Sequence, residues 1–274
     1  MFEDIMGRTK KYCVVIPIYK ETLLPEEHLA LEQLTKIVKS ADIYIMCPKG
    51  INLKVYERHM KAGDMKIMEF TPKYFSSTQE YSRLLESPMF YKKFVKYEYM
   101  LIYQTDCWIF EDKLEYFASK GYDYYGSPWI VDNKNHMGNG GFSFRKISKF
   151  IDFTTEHKGE FYPIEDRYFC EMYQDEFNMC DYETGCEFGV CSMADYEQLA
   201  ALNAGRMKCP MGMHRMLDER LAPYFFKVVD NATGNKFPKE YVDKYMAANN
   251  KHAEIKKNMA STQNTMLSIL NMLK

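Results

Sequence analysis

Apolar strand-like runs alternate with helix-spaced segments along the first quarter of the chain, and no other feature of the sequence restricts its fold as much. Tyr12-Cys-Val-Val-Ile-Pro-Ile18 has the length and β-branched content of a buried strand, closed by Pro17. Residues 25–39 carry apolar side chains at helical spacing, with acids in the first turn and lysines late, as the helix dipole prefers. Residues 42–47 read as a second strand, 52–62 as a polar helix and 66–70 as a third strand. Such alternation implies a Rossmann-like α/β fold, a mostly parallel sheet with helices on both faces.

Residues 78–96 read as helical, and 99–110 form the most apolar strand of the chain, interrupted by Asp106. An ionisable group at the end of a central strand is costly without a task or a partner, and ligands of open α/β sheets bind where Asp106 emerges. Further on, Gly138-Asn-Gly-Gly141 leads into a strand at Phe142-Ser-Phe-Arg145, and a helix is expected at 146–156. Pro163-Ile-Glu-Asp166 has the acids and proline of a helix N-terminus. Residues 178–210 look irregular. The end of the chain, 238–274, is helical in pattern, with apolar residues concentrated at 266–273. The expected organisation is therefore a catalytic domain over 1–235 and a C-terminal helical extension over 236–274. The extension would pack on the domain, or serve self-association or contact with a membrane surface.

Composition narrows the function. Net charge is −2 over 274 residues, which argues against a surface built to neutralise nucleic-acid phosphates. No run approaches the roughly 18 apolar residues of a membrane span. The first residues lack a signal-peptide pattern, so the expected location is cytoplasmic, with peripheral contact at the inner membrane face through the C-terminal helix. The eight cysteines sit largely in apolar runs and read as buried thiols; Cys180, Cys186 and Cys191 lack the CxxC pair and nearby His of a zinc site.

Transfer of a sugar from a nucleotide diphosphate requires neutralisation of the leaving diphosphate, a base for the acceptor hydroxyl and a shaped sugar pocket. Each requirement has a candidate. Asp106, in Gln104-Thr-Asp106, could hold a divalent cation, Mn2+ or Mg2+, and His214, after Pro210-Met-Gly212, lies on a loop able to bring an imidazole to the same ion. Glu165 and Asp166 supply carboxylates for the base and for orienting the acceptor, although acids there also serve as simple helix caps. Gly138–Gly141 precedes a strand and opens no helix, so neither a dinucleotide fingerprint nor a P-loop is present.

Several blocks in register, Tyr81-Ser-Arg-Leu-Leu85, Phe90 to Tyr99, Leu101-Ile-Tyr-Gln-Thr-Asp106, Tyr122-Asp-Tyr124, Gly126-Ser-Pro-Trp129, Gly138 to Arg145, Glu165-Asp166 and Pro210 to His214, resemble a bacterial family of uncharacterised GT-A-like glycosyltransferase domains over about residues 11–220. The resemblance implies a GT-A-like fold and hexosyl transfer from a nucleotide-sugar donor, by default a UDP-sugar, to a glycan or glycolipid acceptor in surface polysaccharide synthesis. It places Gln104-Thr105-Asp106 at the metal-binding DxD motif, His214 at a third metal ligand and Glu165-Asp166 at the acceptor-side acids, with Asp166 as the base of an inverting reaction. Pro17, Tyr19, Lys20 and Tyr81 would then lie near the nucleotide, and Trp129, Asn139, Gly140 and Gly141 beside the sugar or acceptor. Gln104 stands where that motif has its first acid, which weakens the expected cation affinity.

Two rival readings differ in what they require of the sequence. A sugar nucleotidyltransferase would carry a Gly-rich basic loop after the first strand, which Tyr19-Lys-Glu-Thr-Leu-Leu24 does not resemble. A binding module that keeps the fold without catalysis would account for Gln104.

Overall fold

The computed structural model of the chain describes residues 10–131, 134–192, 196–218, 220–232 and 242–243. The strands are β1 (Tyr12–Pro17), β2 (Ala41–Pro48), β3 (Lys66–Phe70), β4 (Tyr99–Tyr103), β5 (Trp108–Ile109), β6 (Tyr124–Tyr125), β7 (Pro128–Val131), β8 (Lys134–Met137), β9 (Phe142–Lys146), β10 (Gly189–Val190) and β11 (Gly212–Met213). The helices are α1 (Pro25–Ile37), α2 (Glu57–Ala62), α3 (Thr78–Leu85), α4 (Pro88–Lys92), α5 (Leu114–Lys120), α6 (Ile147–Glu156), α7 (Glu165–Arg167), α8 (Tyr182–Phe188), α9 (Tyr196–Asn203) and α10 (Ala222–Ala232).

Six strands make the main sheet in the order β3-β2-β1-β4-β9-β6. The pairs β3–β2, β2–β1 and β1–β4 are parallel, with Val14 opposite both Ile43 and Leu101. At β4 the direction changes: β9 runs antiparallel to it, Tyr103 opposite Phe142, and β6 runs antiparallel to β9. The fold is thus the mostly parallel α/β sheet that strand–helix alternation implied.

Both faces of the sheet are covered, which is why β1 and β4 are buried along their whole length. Alternation along each strand sorts side chains into two apolar layers. Val14, Ile16, Leu101, Tyr103, Phe142 and Phe144 point into one; Cys13, Val15, Met100 and Ile102 point into the other. On β9 the second face carries Ser143 and Arg145 instead of apolar groups, both buried.

Three local readings are corrected. Residues 78–96 do not form one helix, because Ser87 and Pro88 start a new one: the Ser87 hydroxyl accepts from the Met89 amide at 3.3 Å, and proline suits a first helical turn while ending what precedes it. The run 99–110 is broken after Tyr103 by a turn at Gln104–Asp106, in which the Cys107 amide donates to the Gln104 carbonyl at 3.0 Å. Residues 178–210 contain α8, capped by Asp181 accepting from the Thr184 amide at 2.7 Å, and α9.

Residues up to Arg215 form one compact unit and those from Met216 a second, whose described part is mainly α10. The expected C-terminal helix over 238–274 lies outside the described residues apart from 242–243. No helix among the described residues is long and apolar enough to cross a membrane. None of the eight cysteines forms a disulfide, and all but Cys209 are buried.

At the α3–α4 junction Glu86 is buried; one carboxylate oxygen accepts from the Tyr162 amide at 3.1 Å, and the other has no hydrogen-bond partner among the described residues. Burial, reinforced by Glu165, pushes its carboxyl from the ordinary 4.5 up to about 8, against the Tyr162 hydrogen bond and Arg83. In that window the native state holds the proton more tightly than the unfolded chain does, so this group's stability contribution is complete below about pH 4.5 and declines as pH rises toward 8. Glu86→Gln keeps the acceptor for Tyr162 and removes the ionisation. It should leave stability near neutral at pH 5 and raise it by roughly 1–3 kcal/mol at pH 8, read as the change in urea midpoint at the two pH values.

Candidate active site

The site forms where β1 and β4 end, and a small second sheet completes it. β11 pairs antiparallel with β5, Met213 opposite Trp108, and parallel with β10. Because β5 follows the Gln104–Asp106 turn directly, this pairing delivers His214 to a residue 110 positions away: its Nε2 lies 3.0 Å from Gln104 Oε1 and 3.4 Å from Asp106 Oδ1. The His214 amide donates to the Val190 carbonyl at 3.0 Å, fixing the backbone there.

The turn Gly138–Gly141 is packed into the centre of this arrangement. Asn139 adopts the left-handed conformation, φ 68°, which asparagine tolerates. Its Oδ1 accepts from the Phe142 amide at 3.1 Å, and its Nδ2 lies 2.8 Å from His214 Nδ1. The Gly140 amide donates to Asp166 Oδ2 at 3.0 Å, and the Gly141 carbonyl accepts from the Gln104 amide at 3.0 Å. A Cβ on Gly140 would stand 2.5 Å from Glu165 Oε1, and one on Gly141 2.4 Å from His214 Nε2. The glycines are there because the backbone passes against the functional side chains without room for a methyl.

The two acids at the start of α7 differ. Glu165 is buried, and its Oε1 accepts from Arg145 Nη2 at 2.7 Å. Burial raises its carboxyl above the ordinary value, with the guanidinium pulling against that rise and Asp166 adding to it. Asp166 is half-buried, with Oδ2 on the Gly140 amide and Oδ1 on the Arg167 amide at 2.9 Å. Of the pair, Asp166 is the carboxylate a bound molecule can reach.

Burial works against the Asp106 charge, but the hydrogen bond with His214, together with Arg215, holds its carboxyl below the ordinary value, so it is ionised at neutral pH. Gln104, Asp106 and His214 present two oxygens and an imidazole nitrogen within 3.4 Å of one another's shared atom, Nε2, and such donors suit a hard divalent cation. Cys107 belongs to the same cluster; burial pushes its thiol well above the ordinary value, and its Sγ donates to the Gly141 carbonyl at 3.2 Å.

Residues 64–214 match the family described as a protein of unknown function, DUF5672. The chain belongs to that family. The matched span is shorter than the 11–220 expected from the blocks; it begins before α3 and ends on His214, so every residue from Tyr81 to His214 discussed above falls inside it. No curated protein matches the sequence. Among solved structures, the chain is similar to the apo form of the glycosyltransferase GlyE of Streptococcus pneumoniae, at 14% identity, TM-score 0.45, 75% of this chain and 54% of that one. It is also similar to TarS of S. aureus at 11% identity, TM-score 0.44, 87% of this chain and 42% of that one. A third is apo xyloside xylosyltransferase 1 of mouse, at 10% identity, TM-score 0.46, 74% of this chain and 97% of that one. The chain spans about half the length of the GlyE structure.

Outside the matched span, the loop after β1 is tied to the site by Glu27 on α1. This buried acid accepts from Lys20 Nζ at 2.7 Å, from Thr105 Oγ1 at 2.5 Å and from the Leu24 amide at 2.8 Å. Pro17 and Tyr19 lie on that same loop side, Pro17 buried at the end of β1 and Tyr19 exposed. Tyr81 reaches from α3 to Gln104 and Glu165, and burial followed by the Glu165 charge raises its hydroxyl far above the ordinary value. Trp129 is buried with its ring against the Gly138 backbone.

Sequence reasoning singles out none of three side chains that hold the candidate site together: Glu27, Arg145 and Tyr91, whose hydroxyl accepts from Arg145 Nη1 at 3.0 Å. Glu27 looks like any first-turn acid, and Tyr91 like any aromatic in an aromatic-rich segment. Arg145 carried a signal, since in Phe-Ser-Phe-Arg the alternation sends it to a covered face of the sheet, where a guanidinium requires an anion.

Gly141→Ala tests the close packing. The methyl would meet His214 and Gln104, which hydrogen bonds hold in place, so chemical denaturation should show a loss of about 1–3 kcal/mol.

Proposed function

We propose that this chain is a GT-A-like glycosyltransferase that moves a sugar from a nucleotide diphosphate sugar, in the first instance a UDP-sugar, to a hydroxyl of a glycan or glycolipid acceptor. The observation that carries the reading is the meeting of two chemically different halves at one turn. Asp106, Gln104 and His214 form an oxygen-and-imidazole cluster on one side of Gly138–Gly141, and Asp166 lies on the other.

In this reading Asp166 takes the acceptor proton as the acceptor oxygen bonds to the anomeric carbon. The bond from that carbon to the diphosphate oxygen breaks, and its electron pair leaves with the nucleoside diphosphate. A single displacement inverts the anomeric centre. Asp106 and His214, with the Gln104 carbonyl, would hold a Mn2+ or Mg2+ ion, which supplies neutralisation of the leaving diphosphate when bound. Glu165 does not reach the acceptor; through Arg145 and the Gly140 backbone it positions Asp166. Lys20 and Thr105, held by Glu27, line the nucleotide side. Gln104, an amide among the ligands, favours the second reading, a module that binds a nucleotide sugar without transferring it.

Thermal stability of the purified protein is measured against a panel of nucleoside diphosphate sugars with and without Mn2+, followed by turnover with the donor that binds. One donor should raise stability, by about 2.7 kcal/mol at a concentration of 100 Kd. Asp166→Asn should keep that shift and lose turnover by about 10²- to 10⁴-fold. No stabilisation by any donor would sink the proposal, and stabilisation without turnover in the wild type would leave only the binding module.

A further inference from the structure

The hydrogen bonds around His214 identify which ring nitrogen carries the proton. The Phe142 amide is an unambiguous donor, so the Asn139 atom that receives it must be the carbonyl Oδ1. The other amide atom, 2.8 Å from His214 Nδ1, is then the NH2 group, and it can only donate. Nδ1 therefore offers its lone pair, and in the neutral ring the proton sits on Nε2, where Gln104 Oε1 at 3.0 Å and Asp106 Oδ1 at 3.4 Å are both acceptors. The Phe142 amide thus fixes the direction of the bonds along Phe142–Asn139–His214, and Gln104 Oε1 completes the chain as an acceptor.

A cation needs the lone pair of Nε2, and that requires the opposite tautomer, with Nδ1–H facing an acceptor. Turning the Asn139 amide over would supply the acceptor, but it would aim an NH2 group at the Phe142 amide, leaving two donors face to face in a buried turn. We propose that Asn139 is a positioning residue that holds His214 in the Nε2–H tautomer and so opposes cation uptake by the site until the Asn139 amide reverses. The inference rests on the reading of Asp106 and His214 as the ligands of a divalent cation, but on no property of the donor or acceptor.

Asn139→Asp changes the polarity of the relay at constant shape. Its two oxygens accept from the Phe142 amide and from Nδ1–H at once, freeing the Nε2 lone pair, and aspartate tolerates the left-handed backbone. Because the variant also adds negative charge, Asn139→Gly serves beside it: glycine accepts φ 68° and removes the opposing NH2 group without adding charge.

The full chain, stripped of metal, is titrated with Mn2+ at pH 8 without any sugar nucleotide, and the imidazole 15N shifts are recorded with Zn2+ and Mn2+ absent. His214→Gln identifies the signals of His214. The wild type is expected to show His214 as Nε2–H and Asn139→Asp to show it as Nδ1–H. Asn139→Asp should bind Mn2+ about tenfold more tightly than the wild type, the scale on which outer partners of metal-bound histidines act. Asn139→Gly should lie between them in affinity, still tighter than the wild type. A wild-type His214 carrying Nδ1–H overturns the inference, as does Mn2+ binding by none of the three proteins. If Asn139→Asp does not fold, Asn139→Gly decides: affinity equal to or weaker than wild type overturns it. A tautomer change and tighter Mn2+ binding in a protein that binds no donor would uphold it while removing the transferase reading, so the two can fail separately.

Discussion

A guanidinium sealed under the sheet organises the site. Arg145 has no exposed surface; it donates to Glu165 at 2.7 Å, to the Tyr91 hydroxyl at 3.0 Å and to Ser143 Oγ at 2.9 Å, and the rings of Tyr124, Phe150 and Phe169 lie within 5.7 Å of its centre. Removing one partner of such a pair strands the other charge in the interior at a cost of about 3–5 kcal/mol. The bonds therefore act as a clamp on three elements, β9, α4 and α7. Ser143 extends the clamp by donating to the Gly140 carbonyl at 3.0 Å. The backbone amide that holds Asp166 thus belongs to a residue whose carbonyl is held from the Arg145 side. The reachable carboxylate owes its place to a charge with no exposed surface.

The parallel part of the sheet was legible because each strand there is covered on both faces and so reads as a continuous apolar run, with helices announced by their acids and lysines. Asp106 stood out as the one charge in the most apolar run, and Glu165-Asp166 by proline and acids at a helix start. Pairwise relations were less visible. The Ser87-Pro88 break inside 78–96 was written in the sequence but outweighed by the aromatic content on either side. The Lys20–Glu27–Thr105 cluster and the Arg145–Glu165 pair join residues up to 78 positions apart, and such pairings are set by how β1, β4 and β9 stack. The difference between Glu165 and Asp166 is of the same kind: as adjacent acids they look equivalent, and only the Arg145 pocket turns one inward.

Gln104 illustrates how a single residue changes meaning with its surroundings. Considered as part of a motif it is a missing acid. In the fold its side-chain carbonyl is one end of a hydrogen-bond chain through His214 and Asn139 to the Phe142 amide, and its backbone N–H donates to the Gly141 carbonyl. An acid at that position would bring a second negative charge beside Asp106. The amide instead supplies an uncharged acceptor for the His214 ring.

The same turn holds both halves of the candidate site, and its covalent geometry limits how far they can separate. Asn139 holds His214, the Gly140 amide holds Asp166, and Gly141 abuts His214 again; successive Cα atoms along these residues are about 3.8 Å apart. The Asp106–His214 cluster and the Asp166 carboxylate are consequently both fixed against one short backbone segment. The glycines make this possible, since a side chain at Gly140 or Gly141 would occupy the space that Glu165 or His214 now fills. Bringing the two halves together is thus a backbone property of residues 138–141, supported from beneath by Arg145, and the side chains at the surface of the site complete what that turn already determines.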